Sequence, residues 1–383
     1  MVSFIFYFYS LPLLPYLYKA FLMIVPQQET PVVMYNTVEE GNTSLLVLSS
    51  SFPPSFKEAN TMCTAITLHH DHFLLGRNLD FDIDYGQKEL ITPSSFPYHF
   101  NHAECPLPHH AIIGMGIEQG GFTHYFDAMN DQGLAMAGLN FVGNAIYHPY
   151  AEGKTNIAQF ELIPYVLSTC ADMKEVRTLL KTLNISDEEF SPSLPKAQLH
   201  WIIADQSDCV VIESMADGLH IHDHPLGVLT NNPPLETQMF LLNNYMHVSA
   251  KDPVNTFTST IPLQMYSRGM GGLGLPGDLS SASRFVKCAF TKLNTRMTEK
   301  TSEITAFFHI LHSVEQQDGC CEVSPDHYEI TEYSDCMDTD TGILYYTTYN
   351  NHRINGVNMH NYDLNGNQII SVPIHDTEDI LIR

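Results

Sequence analysis

The sequence has few basic residues: 18 lysines and arginines stand against 43 aspartates and glutamates in 383 residues, a formal net charge of −25 at pH 7. A surface of this charge repels phosphate backbones and anionic lipid headgroups, which excludes nucleic-acid binding as the main function. Cysteine is also scarce. Eight cysteines, none of them in a Cys-x-x-Cys pair, exclude a disulfide-stapled scaffold and indicate free thiols in a reducing compartment.

Two common enzyme signatures are missing or out of context. No Gly-x-Ser-x-Gly elbow is present, so the serine nucleophile of an α/β-hydrolase is not predicted. Gly272 to Gly277 match the pattern Gly-x-Gly-x-x-Gly, but no convincing strand leads into them and Pro276 lies inside, so dinucleotide binding is not predicted either. The 44% of hydrophobic residues is typical of a globular protein with a large core.

The first 25 residues are apolar and aromatic, and Lys19 carries their only charge. Pro12 and Pro15 interrupt this run, no basic segment precedes it, and no small-residue cleavage site follows it. These features disfavour export and a stable membrane association, and the expected location of the mature protein is the bacterial cytoplasm. A membrane-anchored binding protein, in which Cys63 stays internal, is the alternative without enzymatic activity.

The codons implied upstream of Met62 suggest a start site. Lys57-Glu58 can be encoded by a purine-rich ribosome-binding sequence that ends three codons before Met62. We therefore expect translation to start at Met62, residues 1–61 to be an upstream extension absent from the mature protein, and residues 62–383 to form a single domain.

After Met62, short strands and helices occur in separate clusters, which predicts an α+β fold. Strands at 64–68 and 73–79 form a hairpin that turns at His70-Asp71 and places Cys63 opposite Asn78, to within a residue or two. Further strands are predicted at 199–204, 209–214, 218–222 and 227–230, as one antiparallel meander. Helices are predicted at 156–170, 173–183 with Asp172 as N-cap, 235–246, 283–293 and 303–314.

Cys63 follows directly after Met62, and its small side chain permits removal of the methionine. A terminal cysteine carries an α-amino group with a reference pKa of about 7.7 to 8.0, which can accept the proton of its own thiol. The hairpin brings Arg77 and Asp80 near this thiol and this nitrogen. The competing interpretation is a small buried residue at the start of a strand.

Five segments carry a family resemblance, and in chain order they are Met62-Cys63-Thr64, Gly76-Arg77-Asn78-Leu79-Asp80, Ala137-Gly138-Leu139-Asn140-Phe141, Leu229-Thr230-Asn231-Asn232-Pro233 and Pro276-Gly277-Asp278-Leu279-Ser280-Ser281-Ala282-Ser283-Arg284-Phe285. Together they resemble the choloylglycine hydrolase family of bile salt hydrolases and penicillin V acylases, from about Met62 to the end of the chain. The resemblance implies an N-terminal-nucleophile hydrolase, a four-layer αββα sandwich of two antiparallel sheets between helices, and a homotetramer.

The resemblance also implies roles for individual residues. Cys63 corresponds to the nucleophile that attacks the amide carbonyl and forms a thioester, and Arg77 to the arginine beside its sulfur. Asp80 corresponds to the aspartate that orients the terminal amine, and Arg284 to a supporting arginine of the site. No metal or cofactor is implied.

Asn140 and Asn231 correspond to the family's oxyanion hole, one through a backbone N–H and the other through its side chain. Asn140 matches bile salt hydrolases, whereas penicillin V acylases commonly have tyrosine there. The expected substrate is therefore a bile acid conjugated to glycine or taurine, and the alternatives are penicillin V or another N-acyl amide such as an acyl-homoserine lactone. Substrate contacts are expected from Cys63, Arg77 and Asn140, with an apolar wall from Leu79, Phe81 and Phe122.

Histidine clusters support one rival enzyme class. His220, His222 and His224 alternate, so on a strand they share one face and could bind zinc, and three further histidines, His69, His70 and His72, surround the hairpin turn. A metal-dependent amidohydrolase is the corresponding alternative, although no glutamate has the spacing of a zincin base.

Overall fold

The computed structural model describes residues 62–383 apart from residue 193, and before them only the backbone of three strands. Those strands, β1 (Ala20–Met23), β2 (Val32–Glu39) and β3 (Asn42–Leu48), form an antiparallel sheet in the order β1-β2-β3. The chain divides into two units, residues 1–59 and 60–383. Within the described part of the chain, no helix is both long and apolar enough to cross a bilayer. The predictions for residues 1–19 and 57–61 lie outside the described residues.

The described part of the second unit, residues 62–383 without 193, contains eighteen strands. They are β4 (Cys63–His69), β5 (Phe73–Phe81), β6 (Lys88–Thr92), β7 (Ile112–Gln119), β8 (Phe122–Asn130), β9 (Ala135–Asn140), β10 (Thr155–Ala158), β11 (Leu183–Ser186), β12 (Leu199–Asp205), β13 (Asp208–Met215), β14 (Gly218–Asp223), β15 (Val228–Leu229), β16 (Glu322–Ser324), β17 (His327–Tyr328), β18 (Ile330–Asp338), β19 (Ile343–Thr348), β20 (Asn355–Asn358) and β21 (Ile370–Val372).

The same unit contains five α-helices and four short 3₁₀ turns. The helices are α1 (Leu162–Thr169), α2 (Met173–Leu180), α3 (Leu235–Leu241), α4 (Ser281–Asn294) and α5 (Glu303–His312). The 3₁₀ turns are Gln159–Glu161, Leu242–Tyr245, Met270–Gly272 and Met359–Asn361.

Two antiparallel sheets make up the centre of this unit. A six-stranded sheet has the order β15-β4-β5-β18-β19-β20, and an eight-stranded sheet has the order β14-β13-β12-β9-β8-β7-β6-β21. Helix α1 packs on β8 and β9 and α2 on β12, whereas α4 and α5 pack on β4. Strands β4 and β5 contact β9 across the space between the sheets. The predicted four-layer αββα sandwich is confirmed.

The alternation of side chains along the strands separates two cores. In β9, Ala135, Ala137 and Leu139 face the six-stranded sheet and join the core that contains Cys63. Met136 faces the opposite way and packs in the core under α1 and α2. All four side chains are fully buried, which is why this strand has a continuous apolar sequence.

Gly76 permits the close approach of β5 to β18. A Cβ atom at this position would lie 2.1 Å from the carbonyl oxygen of Asp335. Only glycine therefore fits here, and the next residue, Arg77, is held at the centre of the sheet.

The structure corrects several predicted elements. The hairpin turns where predicted, and Cys63 pairs with Leu79, one residue from Asn78 and within the predicted range. The strand predicted at 227–230 leaves the meander, because β15 pairs with β4 in the other sheet. β14 therefore belongs to the eight-stranded sheet, whereas β15, which follows it in the chain, belongs to the six-stranded sheet.

The predicted helices are shifted at their ends. The segment 156–170 begins as β10 and becomes helical only at Leu162, and 173–183 ends at Leu180 because β11 follows. Asp172 caps α2 as predicted, since its side chain accepts the N–H of Glu175 at 2.9 Å. The remaining differences are small: α3 continues as a 3₁₀ turn, α4 is longer than predicted and α5 is shorter.

Glu89 generates a prediction about stability. It lies between the two sheets with both carboxylate oxygens buried and without a hydrogen-bond partner among the described residues, and burial raises its pKa to about 8. The folded protein therefore retains a proton that the unfolded chain has released, and stability falls between about pH 4.5, the ordinary value, and pH 8. We expect Glu89→Gln to melt at the same temperature as the parent at pH 4 and at a higher temperature at pH 9. The substitution Glu152→Gln, at an exposed residue, is the control. Equal melting temperatures of Glu89→Gln and the parent protein at pH 9 would contradict the prediction.

Candidate active site

Cys63 and Arg77 are brought together by the β4–β5 hairpin. Cys63 pairs with Leu79 and Ala65 pairs with Arg77, and paired residues of an antiparallel hairpin project from the same face. That face is turned toward the eight-stranded sheet. Arg77 Nη2 donates a hydrogen bond to Cys63 Sγ, and both side chains are almost completely buried. The contact follows from hairpin register alone.

The thiol experiences opposing influences. Burial raises the pKa of Cys63 above its ordinary value, the Arg77 guanidinium lowers it, and the carboxyl groups of Asp80 and Glu329 raise it. The net direction in this chain, where Met62 is still attached, is upward. Arg77 thus contributes most to favouring the thiolate at this position, and a backbone hydrogen bond from Asp80 acts in the same direction.

Arg77 is fixed by the eight-stranded sheet. Its Nη1 donates to the carbonyl oxygens of Gly138 in β9 and Phe126 in β8, and its Nε lies 3.9 Å from Oδ2 of Asp127. Although burial opposes it, the acidic groups around the guanidinium, Cys63 first among them, raise the pKa of Arg77. The arginine stays charged and joins the two sheets.

Arg284 approaches Cys63 from the other side of β4. It projects from α4, and its Nη1 donates to the carbonyl oxygen of Cys63 and to the hydroxyl of Thr64. Its Nη2 donates to Oδ1 of Asn231 at 2.8 Å. That same Oδ1 accepts the backbone N–H of Cys63 at 2.7 Å. The backbone of Cys63 is therefore held on both its nitrogen and its carbonyl.

Asp80 lies beside the residue that precedes the cysteine. Its backbone N–H donates to the carbonyl of Met62 at 3.0 Å, and its Oδ1 accepts from Thr331 at 2.6 Å. Oδ2 is 3.7 Å from Arg284 and has no hydrogen bond among the described residues. Burial raises the pKa of Asp80 to about 6 despite Arg284. Asp80 thus offers an open acceptor beside the start of β4.

Glu329 is a site residue that the sequence reasoning missed. The backbone N–H of Met62 donates to its Oε1 across 267 positions of sequence. Glu329 is fully buried, and burial, followed by the charge of Asp80, raises its pKa to about 8. No local sequence signal could have revealed it, because it reaches Met62 only through the pairing of β18 with β5.

Asn140 and Asn231 meet at the end of β9. Asn231 Nδ2 donates to the carbonyl oxygen of Asn140 at 2.8 Å, and its backbone N–H donates to Ser281 Oγ at 2.8 Å. Because a side-chain amide nitrogen carries two hydrogens, one is left for a further acceptor. The backbone of Asn231 is held from the other side by Gln238, which donates to its carbonyl.

A buried histidine supports the segment before Asn231. His200 Nε2 lies 2.7 Å from the carbonyl oxygen of Thr230, and its Nδ1 lies 3.2 Å from Glu213. His222 approaches the other carboxylate oxygen at 3.3 Å. Although burial opposes it, these two histidines lower the pKa of Glu213 to about 2.

The histidines of the alternative zinc site do not converge. His222 faces Glu213, but His220 pairs with Asp217 and His224 bonds the backbone of Val228. Within residues 62–383, excluding 193, the group with a metal-binding arrangement is His70, Asp71 and Glu303 at the hairpin turn. Its members satisfy one another and the turn backbone through hydrogen bonds.

The predicted apolar wall is partly corrected. The ring of Phe81 packs at a tilt against that of Tyr85, with centroids 4.8 Å apart, and the ring of Phe126 lies edge-on to Tyr85 at 5.8 Å. Leu79 is buried in the core with Cys63. Phe122 packs instead in the other core, and the bulge between β7 and β8 lies between it and Phe126. Phe126 and Tyr85 were not predicted from the sequence.

Comparison with known proteins gives these residues a context. The family described as linear amide C–N hydrolases, choloylglycine hydrolase family, matches residues 63–372. The chain belongs to the choloylglycine hydrolase family. A relative from Lactiplantibacillus plantarum named bile salt hydrolase/transferase is 48% identical over 314 residues, which cover 82% of this chain and 97% of the relative. One of the same name from Clostridium perfringens is 32% identical and covers 83% and 99%.

Solved structures agree with this assignment. A crystal structure of a variant of conjugated bile acid hydrolase from Clostridium perfringens matches with a TM-score of 0.78 at 32% identity, over 83% of this chain and 99% of that one. A penicillin V acylase from Agrobacterium tumefaciens matches with a TM-score of 0.64 at 18% identity, over 83% and 94%. The second likeness concerns the fold alone. This choloylglycine hydrolase family member is accordingly a C–N amide hydrolase built on the N-terminal-nucleophile fold.

Proposed function

We propose that this protein hydrolyses the amide bond of bile acids conjugated to glycine or taurine, with Cys63 as an N-terminal nucleophile. The observation that carries the proposal is the hydrogen bond from buried Arg77 to Cys63 Sγ. Asn231 accepts the backbone N–H of the same residue, and Asp80 lies at the carbonyl of the preceding Met62. The names of the bacterial relatives support the substrate class.

The proposed mechanism begins after removal of Met62. The free α-amino group of Cys63 takes the thiol proton, and the thiolate adds to the amide carbonyl carbon. The oxyanion that forms is stabilised by Asn231 Nδ2 and the backbone N–H of Asn140. The C–N bond then breaks, and the α-ammonium gives its proton to the departing amine of glycine or taurine.

The second half of the reaction releases the bile acid. The acyl group is now held as a thioester on Cys63 Sγ. The α-amino group accepts a proton from water as the oxygen attacks the thioester carbonyl, and the thiolate leaves and is reprotonated. Asp80 Oδ2, which is open in the described chain, holds the α-ammonium in place, and Arg284 keeps the backbone of Cys63 and the side chain of Asn231 in register.

The acyl part of the substrate is proposed to lie against Phe81, Tyr85 and Phe126. Tyr85 is 40% exposed, so its ring forms the solvent-facing part of this aromatic surface. An aromatic surface of this kind suits a rigid apolar ring system. Leu79 supports the same wall from beneath.

We propose a reducing cytoplasm as the location. All eight cysteines lie in the described part of the chain and all are free thiols. Structural disulfides form in oxidising compartments, and a cysteine nucleophile needs its sulfur unpaired.

The function is tested by following glycine and taurine release from glycocholate and taurocholate, with penicillin V as parallel substrate. We expect turnover of the bile salts by protein whose N-terminal residue, read by sequencing, is Cys63, because only then is the α-amino group free. Cys63→Ala should abolish turnover, and Cys288→Ala, at a buried cysteine away from Arg77, should not. Preference for penicillin V would overturn the substrate class, and activity in Cys63→Ala would overturn the nucleophile.

A second prediction concerns Asn231. Loss of one oxyanion donor costs about a hundred- to a thousandfold in rate. We expect Asn231→Ala to lower kcat by that amount with a small change in KM. Asn232→Ala is the matched control, since its amide donates to Val142 at 2.7 Å instead of facing the cysteine. A change confined to KM would contradict the assignment of Asn231 to the oxyanion hole.

We further propose that the protein is a homotetramer. Support comes from the loop between α3 and α4, whose apolar side chains are more than four-fifths exposed at Met246, Val254, Phe257 and Tyr266. Monomers rarely expose this much apolar surface in one place. Light scattering should give the mass of four chains, and Phe257→Ser should lower it. Ile382→Ser, at an equally exposed residue (87% for both) outside this loop, should not. A single-chain mass for the unmodified protein would contradict the proposal.

A further inference from the structure

Two buried aspartates lie behind Arg77, on the side away from Cys63. Asp127 comes from β8 and Asp335 from β18, so each sheet contributes one, and both are fully buried. Asp127 Oδ2 accepts from the hydroxyl of Tyr333 at 2.7 Å and lies 3.9 Å from Arg77 Nε. Asp335 Oδ1 accepts the backbone N–H of Arg77 at 2.6 Å.

The second oxygen of each carboxyl group is buried without a hydrogen-bond donor. Among the described residues, neither Asp127 Oδ1 nor Asp335 Oδ2 has a hydrogen-bond partner, and the two side chains interact with one another. Two ionised carboxylates cannot form a hydrogen bond. One proton between the two orphan oxygens satisfies both and removes a repulsion between buried charges.

We propose that Asp127 and Asp335 are positioning residues that share one proton behind Arg77, so that a single negative charge, not two, balances the arginine. With two ionised carboxylates the surroundings of Arg77 would carry an excess negative charge and would disfavour the Cys63 thiolate. With one, the guanidinium stays anchored and its charge acts on the sulfur. The inference rests on the proposed role of Cys63 as nucleophile.

The position of the proton follows from the contacts. Asp127 accepts from Tyr333 and faces the guanidinium, which favours its ionised form, whereas Asp335 has one backbone donor. Burial and the neighbouring Asp127 raise the pKa of Asp335 well above its ordinary value, and burial also raises that of Asp127. Asp335 therefore donates, and Asp127 is the counter-ion.

Several other groups face this pair or the thiol. Arg77 and Tyr333 contact the aspartates directly. Burial and the charge of Asp335 raise the pKa of Cys336. Around the thiol are Asp80, Glu329 and Tyr85. A suitable experiment therefore changes the aspartates while these neighbours stay constant.

The test is a double-substitution cycle with Asp127→Asn, Asp335→Asn and the two combined, made in the intact protein. The pKa of Cys63 is read from the pH dependence of its alkylation by iodoacetamide, followed by mass spectrometry of the peptide that carries Cys63. This readout needs no turnover, so it is independent of whether bile salts are substrates. Arg77→Gln, which should raise the pKa of Cys63, shows that the measurement detects loss of the charge.

A shared proton predicts strong non-additivity. Each single variant retains one carboxylate, which ionises once its partner is an amide, so the pKa of Cys63 should stay close to its original value. The double variant leaves Arg77 unbalanced and should lower the pKa of Cys63 by about one unit or more. Equal decreases in both single variants, adding up in the double variant, would show two ionised aspartates and overturn the proposal. No change in the double variant would overturn it as well.

A second measurement applies if the double variant does not fold. The infrared difference spectrum between the unmodified protein and each single variant at neutral pH should contain the carbonyl stretch of one protonated carboxylic acid, lost in both variants. Contributions from Glu89 and Glu329 cancel in this difference. A band retained in either single variant contradicts a shared proton.

Discussion

The hydrogen bond from Arg77 to Cys63 Sγ is the interaction on which the rest of the site depends. A guanidinium that is 1% exposed has lost its water, and such a charge is tolerated only where fixed acceptors surround it. Two carbonyls of the eight-stranded sheet and one buried aspartate supply them. The contacts that stabilise the buried charge of Arg77 also join the two sheets. The pKa of the thiol and the packing of the sandwich therefore both depend on the Arg77 side chain.

Helix α4 serves the opposite face of Cys63. Ser281 at its start accepts the N–H of Asn231, Arg284 one turn later holds the carbonyl of Cys63, and Lys292 near its end donates to the carbonyls of Leu226 and Gly227. The helix therefore contacts the segment 226–231 near both of its ends. β15 is only two residues long, so these contacts, together with those that His200 and Gln238 make to Thr230 and Asn231, hold Asn231 in position.

The sequence allowed prediction of those contacts that form within one hairpin, but not of contacts between distant parts of the chain. The pairing of Cys63 near Arg77 and Asp80 follows from a hairpin whose turn at His70-Asp71 can be recognised in the sequence. The turn residues fix the strand register only to within a residue or two, and the observed pairing with Leu79 lies inside that range. Glu329 and Asp335 could not be found in this way, since they reach the site through β18, more than 250 positions later in the chain. Phe122 packs in the other core, because an apolar pocket residue and an apolar core residue look alike in sequence. β15 was assigned to the wrong sheet because chain proximity favoured the meander.

Different residues contact the sulfur and the backbone nitrogen of Cys63. The sulfur accepts from Arg77, whereas the backbone N–H donates to Asn231, which Arg284 also holds. The two sets of contacts are not electrostatically independent, because the carboxyl groups of Asp80 and Glu329 raise the pKa of the thiol. Arg77 opposes this effect, since its charged guanidinium donates directly to the sulfur and lowers the thiol pKa. The acidic residues around the start of β4 therefore act on the nucleophile as well, and the position of Arg77 at the sulfur is what offsets them.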